Sequence, residues 1–215
     1  MAFTLVDEAM LHYFGDYQGT VEFLKVLHRS GIRLYWSLPA RTYVAESIFV
    51  ERWVATGKSP KEALVQLSDK MQEPDNWLTV VYEMIGQLSM ELTFCKREEL
   101  TPMILWEDVL LHMFREACKD KNTELIHRFY AFAEWGMWIK PRPSDLSTCS
   151  VVSFYENIPN FPPALNDLPN WVSFREIDGT WLLNSPFVQR YKRALLAAYG
   201  VDLGDKNETV FEKKA

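Results

Sequence analysis

Residues 101–157, TPMILWEDVLLHMFREACKDKNTELIHRFYAFAEWGMWIKPRPSDLSTCSVVSFYEN, decide how the chain reads. Thr101-Pro102 marks a helix start, because a threonine cap accepts from the first free N–H groups and proline presets the backbone. From there Trp106, Leu110, Met113 and Ala117 recur on one side. Asp108, His112, Arg115 and Lys119 recur on the other, so the helix is amphipathic. Asn122 can cap a second helix, TELIHRFYAFAEWGMW, whose core stripe is Ile126, Phe129, Tyr130, Ala133 and Met137. KPRPSD (140–145) then breaks the chain, and Asp145 or Ser147 can cap a short apolar helix ending near Asn157. Two of the four His, two of the three Cys and three of the eight Trp fall within this stretch.

On the N-terminal side, LVDEAMLHYF (5–14) can form a short helix. Thr20 is an N-cap for a helix running VEFLKVLHRS to Gly31, a good residue just past a helix end, with His28 in the favourable last turn. IRLYWSL (32–38), bounded by Gly31 and Pro39, reads as a strand or an extended crossing segment. From Pro39 a helix is expected through RTYVAESIFVERWVAT to Gly57. Ser59-Pro60-Lys61-Glu62 is a capping box that opens another helix, which Pro74 ends. Asp75 or Asn76 then caps WLTVVYEMIGQLSMELTF, reaching about Lys96 with Gly86 inside it.

On the C-terminal side, IPNFPPALNDLPN is an irregular connection. WVSFREIDGTWLLN (171–184) suits a small β-hairpin about Asp178-Gly179, with a helical turn over SFREI as its competitor. Ser185-Pro186 opens a last helix that stops at Gly200. Its Arg190, Lys192 and Arg193 read as a solvated face. The expected fold is mainly α: a multi-helix bundle or helical-repeat-like array forming one domain over residues 1–205, with a possible subdivision near 72–76 and a flexible tail at 206–215.

Composition narrows the function classes. With 48% hydrophobic and 24% charged residues in 215, the chain can bury a substantial core. Its net charge is −6 and acids slightly outnumber bases in every third, so no segment tracks a phosphate backbone and no nucleic-acid partner is expected. No run of about 18 apolar residues occurs, and the first residues lack a basic, then apolar, signal pattern; a cytoplasmic protein with no membrane partner is expected. Cys95, Cys118 and Cys149 match no zinc or redox spacing and read as free thiols in a reducing compartment. The eight Trp read first as core-filling rings, with a ligand-stacking surface as the alternative.

Candidate chemistry is sparse. Glu124 and His127 have the E-x-x-H spacing used in metal-binding bundles, and Asp108 with His112 is the nearest second pair, so these four form the metal candidate. Asp108 and His112 share their face with Arg115 and Lys119, which favours solvation instead. No cofactor motif is present, and none is expected to bind. Trp135 and Trp138 lie off the Ile126–Met137 stripe, either covered by the segment that follows or exposed as an aromatic patch. With Glu134, and with Glu156 after the apolar run SVVSFY, they are the candidate protein-binding residues.

The succession ILWEDVLLHMFREAC (104–118), TELIHRFYAFAEW (123–135) and SVVSFYENIP (150–159) resembles a family of small bacterial helical proteins of unknown function. Their shared pattern is an acidic W/D-x-V helix, a second helix with a late Glu-aromatic, and an apolar run ending F-(L/Y)-E-(N/D/H)-(L/I). The likeness covers roughly residues 76–200, and members resemble immunity or accessory proteins encoded beside bacterial toxins. The resemblance implies a helical fold and a binding role. The expectation is therefore a non-catalytic protein-binding protein, an immunity protein neutralising a basic toxin domain. The alternative is a small enzyme with an acid–base or metal site between helices at His112, His127 and Glu124.

Overall fold

The computed structural model describes residues 17–72, 77–86, 101–138, 146–179 and 185–201, with side chains described for all but 17–21, 138, 178 and 179. The chain is mainly α with a small antiparallel sheet. Helix α1 (Tyr17–Arg29) begins before Thr20, which lies inside it rather than at its cap. It ends as expected at Gly31, whose φ of 66° lets its N–H reach the His28 carbonyl at 2.9 Å.

The segment 32–38 forms a strand, β1 (Ile32–Ser37), one of the two readings open for it, but the helix expected from Pro39 to Gly57 is absent and two further strands take its place, β2 (Thr42–Ser47) and β3 (Val54–Gly57), in the order β1-β2-β3. β1 and β2 form a hairpin with Ile32 opposite Ser47 and Ser37 opposite Thr42. Turn chemistry at Ser47 explains the switch: its Oγ accepts from the N–H groups of Phe49 and Val50, each at 3.2 Å, and so bends the chain where a helix would continue. Ile32, Leu34, Ala45 and Ala55 share one face of the sheet by register, and Arg33, Tyr35, Val44, Glu46 and Thr56 the other.

Helix α2 (Pro60–Met71) packs on β3 and β2 with Ala63, Leu64 and Leu67 fully buried. Its capping box forms: Ser59 Oγ accepts from the Glu62 N–H at 3.2 Å, and Glu62 reaches back to the Lys58 N–H at 2.7 Å. The contact with β3 is close enough to demand glycine at 57, where a Cβ would stand 2.4 Å from the Ala63 nitrogen. α3 (Trp77–Ile85) ends at Gly86, which adopts φ 70° as a stop rather than sitting inside a longer helix. The expected continuation to Lys96, with Cys95, lies outside the described residues, as do the segment 5–14, the boundary near 72–76 (in its residues 73–76), the Asp145 cap and the tail.

The described parts of the deciding stretch are helical as expected, with two π-helical segments and a 3-10 turn within them, and residues 139–145 lie outside the described residues. α4 (Pro102–Ile104) runs directly into a π-helical segment, Leu105–Leu110, and then α5 (Leu111–Lys119). α6 (Thr123–Trp138) is the central helix: residues 129–136 are all buried, and α1, α3 and α5 pack around it. α7 (Leu146–Cys149) also packs on it, and continues as a second π-helical segment, Ser150–Phe154, and a 3-10 turn, Tyr155–Asn160. The two π segments face each other, with Trp106 against Phe132 and Phe154 at ring separations of 5.4 and 5.1 Å. Gly136 admits α7 so closely that a Cβ there would meet Ser150 Oγ at 2.5 Å.

α8 (Pro162–Trp171) and α9 (Phe174–Gly179) follow. The hairpin expected about Asp178-Gly179 is therefore corrected: the competing helical turn forms. Ser173 and Glu176 make a reciprocal capping box, Ser173 N–H to Glu176 at 2.9 Å and Glu176 N–H to Ser173 Oγ at 3.2 Å. Residues 180–184 lie outside the described residues. A turn at Ser185 leads through a 3-10 segment, Gln189–Tyr191, to α10 (Lys192–Ala198) and the Gly200 stop.

Candidate functional site

Of the four candidate protein-binding residues, Trp135 and Glu134 go inward, which for Trp135 is the covered of its two readings. Trp135 is 3% exposed, its Nε1 donates to the Met71 carbonyl at 3.2 Å, and its ring lies against Trp53 and Phe132. Glu134 is buried as well and accepts from Arg29 Nε at 2.9 Å and from the Tyr155 hydroxyl. Both are corrected from docking residues to core residues. The cause is the all-round burial of α6, which an amphipathic reading of its stripe does not anticipate. Glu156 is half-buried, with one oxygen held by the Ser185 hydroxyl at 2.6 Å. The Trp138 side chain lies outside those described.

Arg29 organises the buried polar core. Besides Glu134 it binds Glu176 at 2.8 Å and the Trp171 carbonyl at 3.0 Å, so one guanidinium ties α1 to α6, α8 and α9. Burial works against its charge, but Glu134, Tyr155 and Glu176 outweigh that and hold its pKa above the ordinary arginine value. Burial likewise opposes the Glu176 carboxylate, and Arg29 prevails to hold it below its usual range. Burial pushes the Tyr155 phenol upward, reinforced by Glu134. This is a fully partnered charge cluster with a positioning role in the fold.

The four metal candidates are not brought together. Asp108, His112 and Glu124 are exposed, and Glu124 is held by Arg128 at 2.9 Å. His127 is buried, its Nε2 bonded to the His28 carbonyl and its ring set among His28, Phe49 and Trp171. Burial lowers its pKa, against the opposing bond to the His28 carbonyl, and so favours the neutral ring. Among the described residues no group of three or more His, Cys, Asp or Glu is placed to hold a metal. Burial, with Asp167 nearby, pushes the Cys118 thiol up to about 12, which withholds the thiolate a nucleophile needs. Cys118 floors an open cleft of about 410 Å³ beside Lys121 and Asp167.

The surface feature with binding character is the β1–β2 hairpin. Tyr35, Trp36 and Leu38 are 44%, 46% and 78% exposed, and Trp36 meets Tyr43 edge-on at 4.9 Å. Tyr35 belongs to the solvent face, where its hydroxyl reaches Glu46 at 3.3 Å. Trp36 belongs to the other face but lies toward the hairpin tip, where the sheet leaves nearly half of it open. Among the described residues β1 is an edge strand, paired with β2 alone. Its signal was present in IRLYWSL: Ile32, Leu34, Trp36 and Leu38 alternate at a spacing of two, which leaves Tyr35 facing the other way.

No family model, no curated protein and no solved structure matches this chain.

Proposed function

We propose that this chain is a non-catalytic protein-binding protein that docks its partner through the β1–β2 hairpin. The observation that carries the reading is the exposure of Tyr35 and Trp36 on β1, an edge strand among the described residues, together with Leu38 in the turn that follows it. Tyr and Trp supply large contact area at little entropic cost and dominate the energetics of protein interfaces. Natural edge strands are usually blunted by proline, a bulge or a covering segment. β1 has six residues in unbroken register, with no proline or glycine within it.

The resemblance over residues 76–200 supplies the biological setting: an immunity protein that neutralises a toxin. In this reading the helical layer, arranged as a bundle around α6, is a rigid support for the hairpin, and the anchors are Tyr35, Trp36 and Leu38 in place of Trp135 and Glu134.

The test is affinity capture from lysate of cells that express the protein naturally, run in parallel with Trp36→Ala/Leu38→Asp and with Phe187→Ala, an equally accessible apolar residue elsewhere. The reading expects one protein to be retained by the wild type and Phe187→Ala and lost with the hairpin variant. Retention by all three would overturn it.

A further inference from the structure

The hairpin carries charge of a definite sign. Arg41, in the turn between β1 and β2, is exposed and makes no ion pair among the described residues. Lys58 follows Gly57, which pairs with Tyr43, so it lies at the same end of the sheet but beyond β2, about 10 Å from β1, and Arg41 in the hairpin turn is the cation nearer Trp36 and Leu38. The Lys58 ammonium also lacks an ion pair among the described residues; only its backbone N–H is engaged, by Glu62. Along the strand, Arg33 holds Glu46 at 3.0 Å with its own side chain 65% exposed. Glu46 is the carboxylate on this face, and Arg33 and the Tyr35 hydroxyl already occupy it. Glu62, on the first turn of α2, serves its capping box.

The apolar edge is thus rimmed by cations in a protein whose net charge is −6. Screening decides which charge a docked segment feels. At physiological ionic strength the Debye length is about 8 Å, so a strand laid on β1 responds to Arg41 and Arg33 more than to Lys58, about 14 Å away beyond β2, or to the distributed acidity of the whole chain. A basic segment would meet unpaired like charge at the tip, whereas an acidic one would pair with it.

We infer that the β1 edge receives, as an added strand, an extended acidic segment of the partner protein. Main-chain N–H and C=O groups of β1 supply the hydrogen bonds of strand addition. Alternate side chains of the incoming segment lie beside Tyr35 on one face and beside Leu34 and Trp36 on the other. Arg41 selects for Asp or Glu at the end near the tip, and Arg33 does so along the strand. The inference rests on the hairpin being the docking surface.

The test uses the full chain and three short acetylated peptides that alternate valine with glutamate, lysine or serine. Affinity is read by titration, and backbone amide exchange is followed along β1. The glutamate peptide is expected to bind tightest, to protect every second amide of β1, and to weaken roughly tenfold in Arg33→Gln/Arg41→Glu, as befits two exposed charge pairs. Blocking the peptide's own amides by N-methylation should abolish binding. Thermal unfolding of the double variant, expected to match the wild type, separates lost binding from lost fold.

Tighter binding of the lysine or serine peptide at the same amides would overturn the acidic assignment while leaving the hairpin as the docking surface. No protection of β1 by any peptide would overturn strand addition; the capture experiment with Trp36→Ala/Leu38→Asp then decides separately whether the hairpin docks a protein at all. A single-stranded oligonucleotide that displaced the glutamate peptide would overturn the protein-partner assignment.

Discussion

Arg29 Nε lies 2.9 Å from Glu134 Oε1, with both side chains withdrawn from solvent. The pair links α1, near the start of the described chain, to the central helix α6. Removing one partner of a buried ion pair strands the other charge in a poorly solvated site, which costs about 3–5 kcal/mol. Arg29→Met leaves both Glu134 and Glu176 without their cation and is therefore expected to lower stability to urea by about that amount. Arg29→Met/Glu134→Leu should cost less than Arg29→Met, because it leaves one carboxylate of the cluster without its cation instead of two, and that one, Glu176, reaches 22% exposure. Urea unfolding of both variants measures the difference.

Trp135 has the same lesson in apolar form. Packed against Trp53 and Phe132 in the core, it should cost about 3–5 kcal/mol when truncated to alanine. A Trp135→Ala variant that unfolds at wild-type denaturant concentration would contradict its placement.

Acid sensitivity should come in two steps. His127 has a folded pKa below its ordinary 6.5, so the folded state binds the proton less readily than the unfolded one. Its stabilising contribution is complete above about 6.5 and is lost as pH falls toward the lowered folded value. Glu176 is also depressed, from an ordinary 4.5; its contribution is complete above that and is lost as pH falls through its folded value. Urea midpoints should therefore decline below pH 6.5 and again in the acid range below 4.5. His127→Phe should flatten the upper step alone. The His28 carbonyl keeps a partner in that variant, since the Gly31 N–H also bonds it at 2.9 Å.

Two backbone positions predict effects of opposite sign. Gly57→Ala would drive a Cβ into the first turn of α2 and should destabilise by about 1–3 kcal/mol. Lys121 sits at φ 55° between α5 and α6, the left-handed position that glycine prefers at a helix end. Lys121→Gly should stabilise by about 0.5–1 kcal/mol, the relief of Cβ strain less the entropy of a freer unfolded chain. Thermal unfolding of the two variants gives both signs.

Much of the helical layer was legible because its signals are local. Ser59 with Glu62, Thr101 with Pro102, and Asn122 before TELI all cap the helices they announced. The sheet was not legible, for a nonlocal reason. Across residues 39–57 apolar side chains fit both a helical and a strand spacing, and pairing of Tyr35 with Val44 and of Ala45 with Ala55 settles the matter. Ser173 and Glu176 carried the signal of a helix start, but Asp178-Gly179 competed with a turn signal of equal apparent weight. The site was least legible of all. Whether Trp135 or Trp36 reaches solvent depends on which elements surround α6 and on where α2 stops covering the sheet, and neither is written in the residues nearby.

The central claim is that the hairpin meets a protein partner, and in-cell photo-crosslinking tests it most directly. Benzoylphenylalanine installed at Leu38 should yield one discrete adduct with another protein, while the same group at Phe187 should yield none with that protein. Adducts from position 187 alone, or none from position 38, would contradict the account.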